Sequence, residues 1–353
     1  MKPWEAYIRK VEPYVPGEQP NISDMVKLNT NENPYPPAPG VKAIVENMKV
    51  DNLRLYPDPL CSSLTEVLAD FYGLEKNQVF VGVGSDDVLS TAFMTFFNSE
   101  KPILFPDITY SFYDVWANVH RIPYELISLD ENFRIRKEDY YRENGGIVLA
   151  NPNAPTSICE PLSFVEDILQ HNQDVIVIVD EAYIDFGGES AIKLIDKYEN
   201  LLVVQTFSKS RSMAGIRIGY CMGNAALIAA INDVKYSINS YTMNMASLLA
   251  GVEAVRDKEY FESNIKKIVN TRERAKRELE ELGFVMPDSK ANFLFATHKS
   301  IDCFALFEWL RERHIYVRHF NKERISNHLR ITVGTDEEMD RLISAIKEYQ
   351  SQL

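Results

Sequence analysis

The chain has 353 residues, with 38 Lys and Arg against 51 Asp and Glu, so the formal net charge is -13. Hydrophobic residues make up 45% and charged residues 25%, the proportions of a folded, water-soluble protein, which excludes disorder as the main state. The acidic balance argues against non-specific binding to nucleic acid or to an anionic membrane surface.

In chain order, the first forty residues are rich in Pro and Asn and read as an extended arm, EPYVPGEQPNIS followed by LNTNENPYPPAPG. A helix is expected at Pro39–Met48. A second helix carries Leu60, Leu64, Val67, Leu68 and Phe71, the stripe of a core-facing surface. From residue 78 short apolar runs take over: Val79–Val83, Ile103–Phe105, Tyr124–Leu129, Ile147–Ala150, Val175–Val179, Leu201–Val204 and Ile218–Met222. Runs such as VIVIV are continuous rather than alternating, as in strands covered on both faces. Helical stretches separate most of them. The expectation is an α/β fold with a mostly parallel, seven-stranded sheet sandwiched by helices. Near residue 240 this rhythm stops. One long helical pattern runs to Leu282, then a strand at Asn292–Ala296, a helix at Asp302–Arg313, strands near Ile315–Val317 and Leu329–Val333, and a last helix opened by the capping box Thr335-x-x-Glu338. The expected division is an arm over 1–30, a large α/β domain over 49–240, and a smaller α+β domain from 31–48 with 241–353.

The longest apolar run, Ala225–Ile231, is far shorter than the roughly 20 residues of a membrane span. The start, MKPWEAYIRKVEPY, lacks the apolar core of a signal peptide. Cys61, Cys159, Cys221 and Cys303 are far apart and form no CxxC pair, so reduced thiols and a cytoplasmic location are expected. The histidines show no ligand spacing, and no metal is expected.

Parallel sheets bind ligands at the carboxyl ends of their strands, so function should lie just past each run. After the first comes Gly82-Val83-Gly84-Ser85-Asp86-Asp87. A dinucleotide fingerprint needs a third glycine where Asp87 stands, yet the turn still offers backbone N–H groups at a helix start, either for a phosphate or as a plain helix entrance. After the second comes Tyr110, which either packs or stacks on a flat ring. Asn151-Pro152-Asn153-Ala154-Pro155-Thr156 leaves Asn side chains free for hydrogen bonds. Asp180-Glu181-Ala182-Tyr183 ends a fully apolar strand with a carboxylate, which implies a structural salt bridge or a ligand nitrogen. Thr206-Phe207-Ser208-Lys209 places a lysine among hydroxyls, with Arg217 eight residues on. Buried lysines can form Schiff bases with carbonyl groups. A pyridine ring bearing an aldehyde and a phosphate uses the whole set. Lys209 takes the aldehyde, Asp180 the protonated ring nitrogen and Tyr110 the ring face. Tyr183 and an Asn such as Asn153 take the ring hydroxyl. The Gly84, Ser85 and Asp86 turn takes the phosphate with Thr206, Ser208 and Arg217.

These motifs, with LYPDP at 55–59, YVR at 316–318, AGIRIG at 214–219 and LRITVGT at 329–335, resemble the fold-type I, pyridoxal-phosphate-dependent aminotransferases, and within them the histidinol-phosphate aminotransferases. The resemblance covers nearly the whole chain. It implies a homodimer with the cofactor at the interface, where Tyr56 reaches the neighbouring subunit's phosphate. It also implies that Tyr14 and Asn31 line the substrate site, that Arg330 grips the substrate carboxylate, and that Arg318 is a candidate for the substrate phosphate. Lys209, Asp180 and Tyr183 are the implied catalytic residues. The implied reaction moves an amino group between L-histidinol phosphate and 2-oxoglutarate. An aromatic amino-acid aminotransferase or a threonine-phosphate decarboxylase is the alternative on the same fold. One departure stands out. The family usually reads Asn-Asn-Pro-Thr-Gly, and its second Asn bonds the cofactor's ring hydroxyl. Here that position is Ala154, leaving the hydroxyl to Tyr183 alone, to Asn153 after a small shift, or to water.

Overall fold

The computed structural model describes residues 2–353; Met1, the first residue of the expected arm, lies outside the described residues. The arm is extended apart from a 3-10 turn at Pro3–Tyr7. It leads into the short strand β1 (Val26–Lys27), followed by helices α1 (Pro39–Glu46) and α2 (Ser62–Tyr72). The large sheet contains β2 (Val79–Gly82), β3 (Ile103–Pro106), β4 (Tyr124–Ile127), β5 (Gly146–Ala150), β6 (Val177–Asp180), β7 (Leu201–Thr206) and β8 (Gly219–Gly223). Its spatial order is β2-β8-β7-β6-β5-β3-β4, and β8 alone runs antiparallel to its neighbours. The seven runs seen in the sequence are therefore the seven strands. That β8 is reversed matters for the site, because its start, just past Arg217, lies at the same sheet end as the carboxyl ends of the other six.

The strands are buried on both sides because helices cover both. Leu64 of α2 and Val165 of α5 (Leu162–His171) pack on one face. Leu89 of α3 (Ser85–Phe96), Trp116 of α4 (Tyr113–His120) and Ile231 of α6 (Ala225–Ile238) pack on the other. Each fully buried leucine of this kind contributes roughly 2 kcal/mol by removal from water.

The single long helix expected after residue 240 is two helices, α7 (Met245–Arg256) and α8 (Lys258–Glu281). The break falls at Asp257, whose carboxylate accepts the Tyr260 N–H at 3.1 Å and so caps α8. The apolar stripe runs through the break, which is why the pattern did not reveal it. Leu248 and Val252 of α7 sit in the larger core, and so does Val41 of α1, although the sequence assigns both segments to the smaller unit.

Strands β9 (Phe284–Val285), β10 (Phe293–His298), β12 (Arg318–His319) and β13 (His328–Thr332) form a second, antiparallel sheet. It packs against α8, α9 (Cys303–Glu312) and α10 (Asp336–Gln350) through Ala275, Leu306 and Leu342. The capping box is formed, with Thr335 accepting the Glu338 N–H and Glu338 accepting the Thr335 N–H. Strand β1 pairs in parallel with β11 (Ile315–Tyr316), and Val26 and Leu28 complete this smaller core. The segment after β1 therefore crosses from the smaller core to the large unit. Among the described residues no helix is long and apolar enough to cross a membrane.

Candidate active site

Two adjoining cavities, of about 170 Å³ and 150 Å³, open at the carboxyl ends of the large sheet, and Thr30, Tyr110, Ala154, Tyr183 and Lys209 line both. They form one cleft. The first also gathers Ser85, Asp86, Asp180, Thr206, Ser208 and Arg217; the second gathers Tyr14, Asn31, Arg318 and Arg330. The strand ends of the large sheet supply the first set, while Tyr14 and Asn31 come from the N-terminal segment and Arg318 and Arg330 from the small sheet.

Gly84 turns the chain from β2 into α3 with φ of 87°, in the left-handed region that glycine tolerates. A Cβ there would lie 2.6 Å from Arg217 Nη2. Gly219 allows equally close packing from the other side, since a Cβ on it would lie 2.2 Å from Ser85 N. The Gly84 N-cap offers no side-chain hydrogen bond. The first-turn N–H groups of α3 thus face the cavity without an acceptor, beside the Arg217 guanidinium, which is a cradle for an anion. Asp86 shares this corner, accepting from Arg217 Nη2 at 3.2 Å and from the Tyr110 hydroxyl at 2.9 Å. Ser208 stays close through the bond from its N–H to Thr206 Oγ1 at 3.1 Å.

Asp180 ends β6 fully buried. Its Oδ2 accepts from the Tyr113 hydroxyl at 2.8 Å and its Oδ1 from the Ala182 N–H at 3.2 Å. No cation pairs with it among the described residues, and burial pushes its carboxyl up to about 6 despite those two donors. A buried carboxylate facing a cavity with no cation of its own is suited to a cationic ligand. Tyr113 was not anticipated from the sequence. It lies three residues after Tyr110 at the start of a helix, where an aromatic reads as packing, and only the fold brings its hydroxyl to Asp180.

Lys209 Nζ donates to the Thr30 carbonyl at 3.2 Å and lies 5.7 Å from the Tyr183 ring centre. Its main chain is held from two sides. Asn33 Nδ2 donates to the carbonyls of Lys209 and Ser210 at 3.0 and 3.2 Å, and Ser210 Oγ donates to Asp185 at 2.5 Å. Asn33 and Thr30 belong to the crossing segment, whose polar composition marks it only as a loop.

Arg330 Nη2 donates to the Asn29 carbonyl at 2.8 Å, and its Nε is buried with no partner among the described residues. The guanidinium lies 5.5 Å from the Phe293 ring centre and 5.8 Å from that of Phe320, and Arg318 lies 5.8 Å from Phe320. Neither arginine has an acidic partner among the described residues, so both are free for an anion. Tyr14 of the arm stacks on Phe112 at 4.2 Å and closes this side.

One expected cofactor ligand is placed differently. Asn153 does not face the cleft. Both its amide protons are taken, by the Ile108 carbonyl at 2.9 Å and Thr156 Oγ1 at 3.0 Å, and its Oδ1 accepts from Thr109 at 2.7 Å. It braces the loop and cannot stand in for the amide absent at Ala154. Tyr56 lines neither cavity; it is 80% exposed and stacks on Tyr241 at 4.6 Å.

The remaining donor set fits pyridoxal phosphate on the chain's own chemistry: an amine for the aldehyde, an unpaired buried carboxylate for the ring nitrogen, and an uncapped helix start with an arginine for the phosphate. Among the described residues no cluster of His, Cys, Asp and Glu could hold a metal ion.

The family model for class I and II aminotransferases matches residues 23–346. The histidinol-phosphate aminotransferase of Lactococcus lactis subsp. cremoris strain MG1363 is 52% identical over 346 residues, covering 98% of this chain and 97% of that protein. That of Clostridium acetobutylicum is 51% identical, covering 98% of each. The solved structure of histidinol-phosphate aminotransferase from Sinorhizobium meliloti, in complex with pyridoxal-5'-phosphate, superposes with a TM-score of 0.82 at 25% identity, covering 91% of this chain and 89% of that one.

Proposed function

As the chain belongs to the class I and II aminotransferases, we propose that it moves an amino group between L-histidinol phosphate and 2-oxoglutarate, giving imidazole-acetol phosphate and glutamate in histidine biosynthesis. The observation that carries the reading is the buried, cation-free Asp180 carboxylate lining one cavity with Lys209 and Arg217.

Lys209 would hold the aldehyde of pyridoxal phosphate, Asp180 the ring nitrogen, Tyr183 the ring hydroxyl, and the start of α3 with Ser208 and Arg217 the phosphate. Bound there, the cofactor supplies a carbonyl that condenses with amines and a protonated ring that draws electrons from the substrate carbon being deprotonated. The chain's own residues do the rest. Lys209 Nζ, once free, takes the proton from the substrate Cα, and the Thr30 carbonyl is a ready acceptor for the resulting ammonium. Asp180 keeps the ring nitrogen protonated, because two fixed donors hold its carboxylate in one plane. Arg330 and Arg318, with no acidic partners, serve a carboxylate in one half-reaction and a phosphate ester in the other. Tyr14 closes over the bound substrate and excludes water.

A homodimer belongs to the proposal. Val50, Leu53, Leu55, Tyr56, Ile238 and Tyr241 are large apolar residues left exposed on one chain, and a second subunit covers such a surface. Tyr56 then reaches the partner's phosphate cradle rather than its own. The free thiols Cys61, Cys159, Cys221 and Cys303 suit the cytoplasm.

The test is glutamate formation by purified protein given L-histidinol phosphate and 2-oxoglutarate, compared with phenylalanine as the amine donor. No turnover of histidinol phosphate removes the substrate assignment. Lys209→Ala should lose covalent capture of the cofactor on borohydride treatment; full transaminase activity in that variant would overturn the mechanism.

A further inference from the structure

Tyr183 presents its hydroxyl to the cleft with one partner among the described residues, the side-chain amide of Asn31, which donates to it at 3.0 Å. Asn31 is held too firmly for this contact to be incidental. Its backbone sits at φ of 55°, its N–H donates to Thr332 Oγ1 at 3.0 Å, and its carbonyl accepts from Asn292 at 3.0 Å. The Thr332 hydroxyl in turn donates to Asn31 Oδ1 at 3.1 Å, which fixes the amide plane and aims Nδ2 at Tyr183. On the facing wall, Ala154 packs beside Tyr183 with Ala291 and Phe293 and carries no polar atom on its side chain.

A tyrosine hydroxyl has one proton to give and accepts in its remaining directions. With Asn31 donating into it, the proton of Tyr183 is left to point into the cleft. We propose that Asn31 is a positioning residue for cofactor binding: it orients the Tyr183 hydroxyl as a donor toward the ring hydroxyl of pyridoxal phosphate and so makes up for the amide that position 154 lacks. The inference rests on the cofactor reading above. Asn31, which the sequence places among the substrate residues, thereby acts on the cofactor through Tyr183.

The test uses Asn31→Gly, because glycine keeps the left-handed backbone and its two main-chain bonds while deleting the amide. Two quantities are read: the affinity of cofactor-free protein for pyridoxal phosphate, and the pH midpoint of the colour change of the lysine-bound cofactor. Losing the oriented donor should weaken binding about 5-fold. It should also move the midpoint upward by about half a unit or more, because negative charge on the ring oxygen then holds the neighbouring imine proton more tightly. Asn31→Asp, nearly the same shape but an acceptor, should shift the midpoint at least as far, and it covers the case in which the glycine variant does not fold. Adding Ala154→Asn to Asn31→Gly should restore both quantities, since position 154 borders the same cleft beside Tyr183. An unchanged midpoint and affinity in the Asn31 variants, or no restoration by Ala154→Asn, overturns the inference while leaving the cofactor reading intact. A native protein that takes up no pyridoxal phosphate overturns both.

Discussion

Replacing Asp180 by Asn isolates the strain that the site places on the fold before any ligand arrives. The carboxyl group is raised to about 6 by burial. In an unfolded chain it titrates near 3.9, so the difference of about two units corresponds to roughly 3 kcal/mol. Because Asp180 is only 5% exposed, solvent screening does not erode that figure. Below pH 4 the group is protonated whether the chain is folded or not. Between pH 4 and 6 the folded protein still holds the proton that the unfolded chain has released, so stability falls as pH rises through this window. Above 6 the full penalty persists. An asparagine carries no such dependence. Its carbonyl can accept from Tyr113, but its NH2 then meets the Ala182 N–H, at a loss of about 1 kcal/mol.

Cofactor-free Asp180→Asn should therefore be more stable than the native protein at pH 8, by roughly 2 kcal/mol after that loss. Urea unfolding of both proteins at pH 4.5 and 8 measures this directly. The stability difference between them should swing by roughly 2 kcal/mol between the two pH values. Glu181, pushed up to about 7 by burial, is common to both proteins and cancels. Parallel pH dependences would mean that the carboxylate is solvated in the folded state, and the argument that it awaits a cationic ring would fail.

Tyr113→Phe removes the 2.8 Å donor to Asp180 and should move that carboxyl further up by about one unit, widening the pH window of falling stability seen in the same unfolding series. Asn153→Ala breaks three loop bonds and should lower unfolding stability by about 1–3 kcal/mol, with no change in the colour midpoint of the bound cofactor. Arg330→Ala should raise KM about 100-fold for both amine donor and oxo acid, and Arg330→Lys should recover only part of it, because an ammonium lacks the two-pronged geometry; steady-state kinetics with each substrate decides this.

The large sheet was legible because strands covered on both faces carry unbroken apolar runs, and the polar residue that ends each run then marks the ligand edge. Lys209 and Asp180 were singled out this way, and both line the cleft. What the sequence concealed depends on which way a polar group turns. Asn153 and Asp180 both follow a buried strand, yet Asp180 faces the cleft while Asn153 is claimed by the Ile108 carbonyl, 45 residues away. An apolar stripe, likewise, tells that a helix buries a face and not which core receives it, as Val41 of α1 and Leu248 of α7 show by joining the larger core. The crossing segment shows the same limit most sharply. Read as LNTNENP it is a polar loop. In the fold four of its residues hold three residues of the cleft: Asn29 accepts from Arg330, Thr30 from Lys209, Asn31 donates to Tyr183, and Asn33 holds the Lys209 main chain. These contacts arise because the segment leaves the smaller core beside β13, where the Leu28 carbonyl accepts from Thr332 N–H, and reaches the turn after β7 at Lys209. A change in how the two units sit against each other must therefore move Arg330, Lys209 and Tyr183 together.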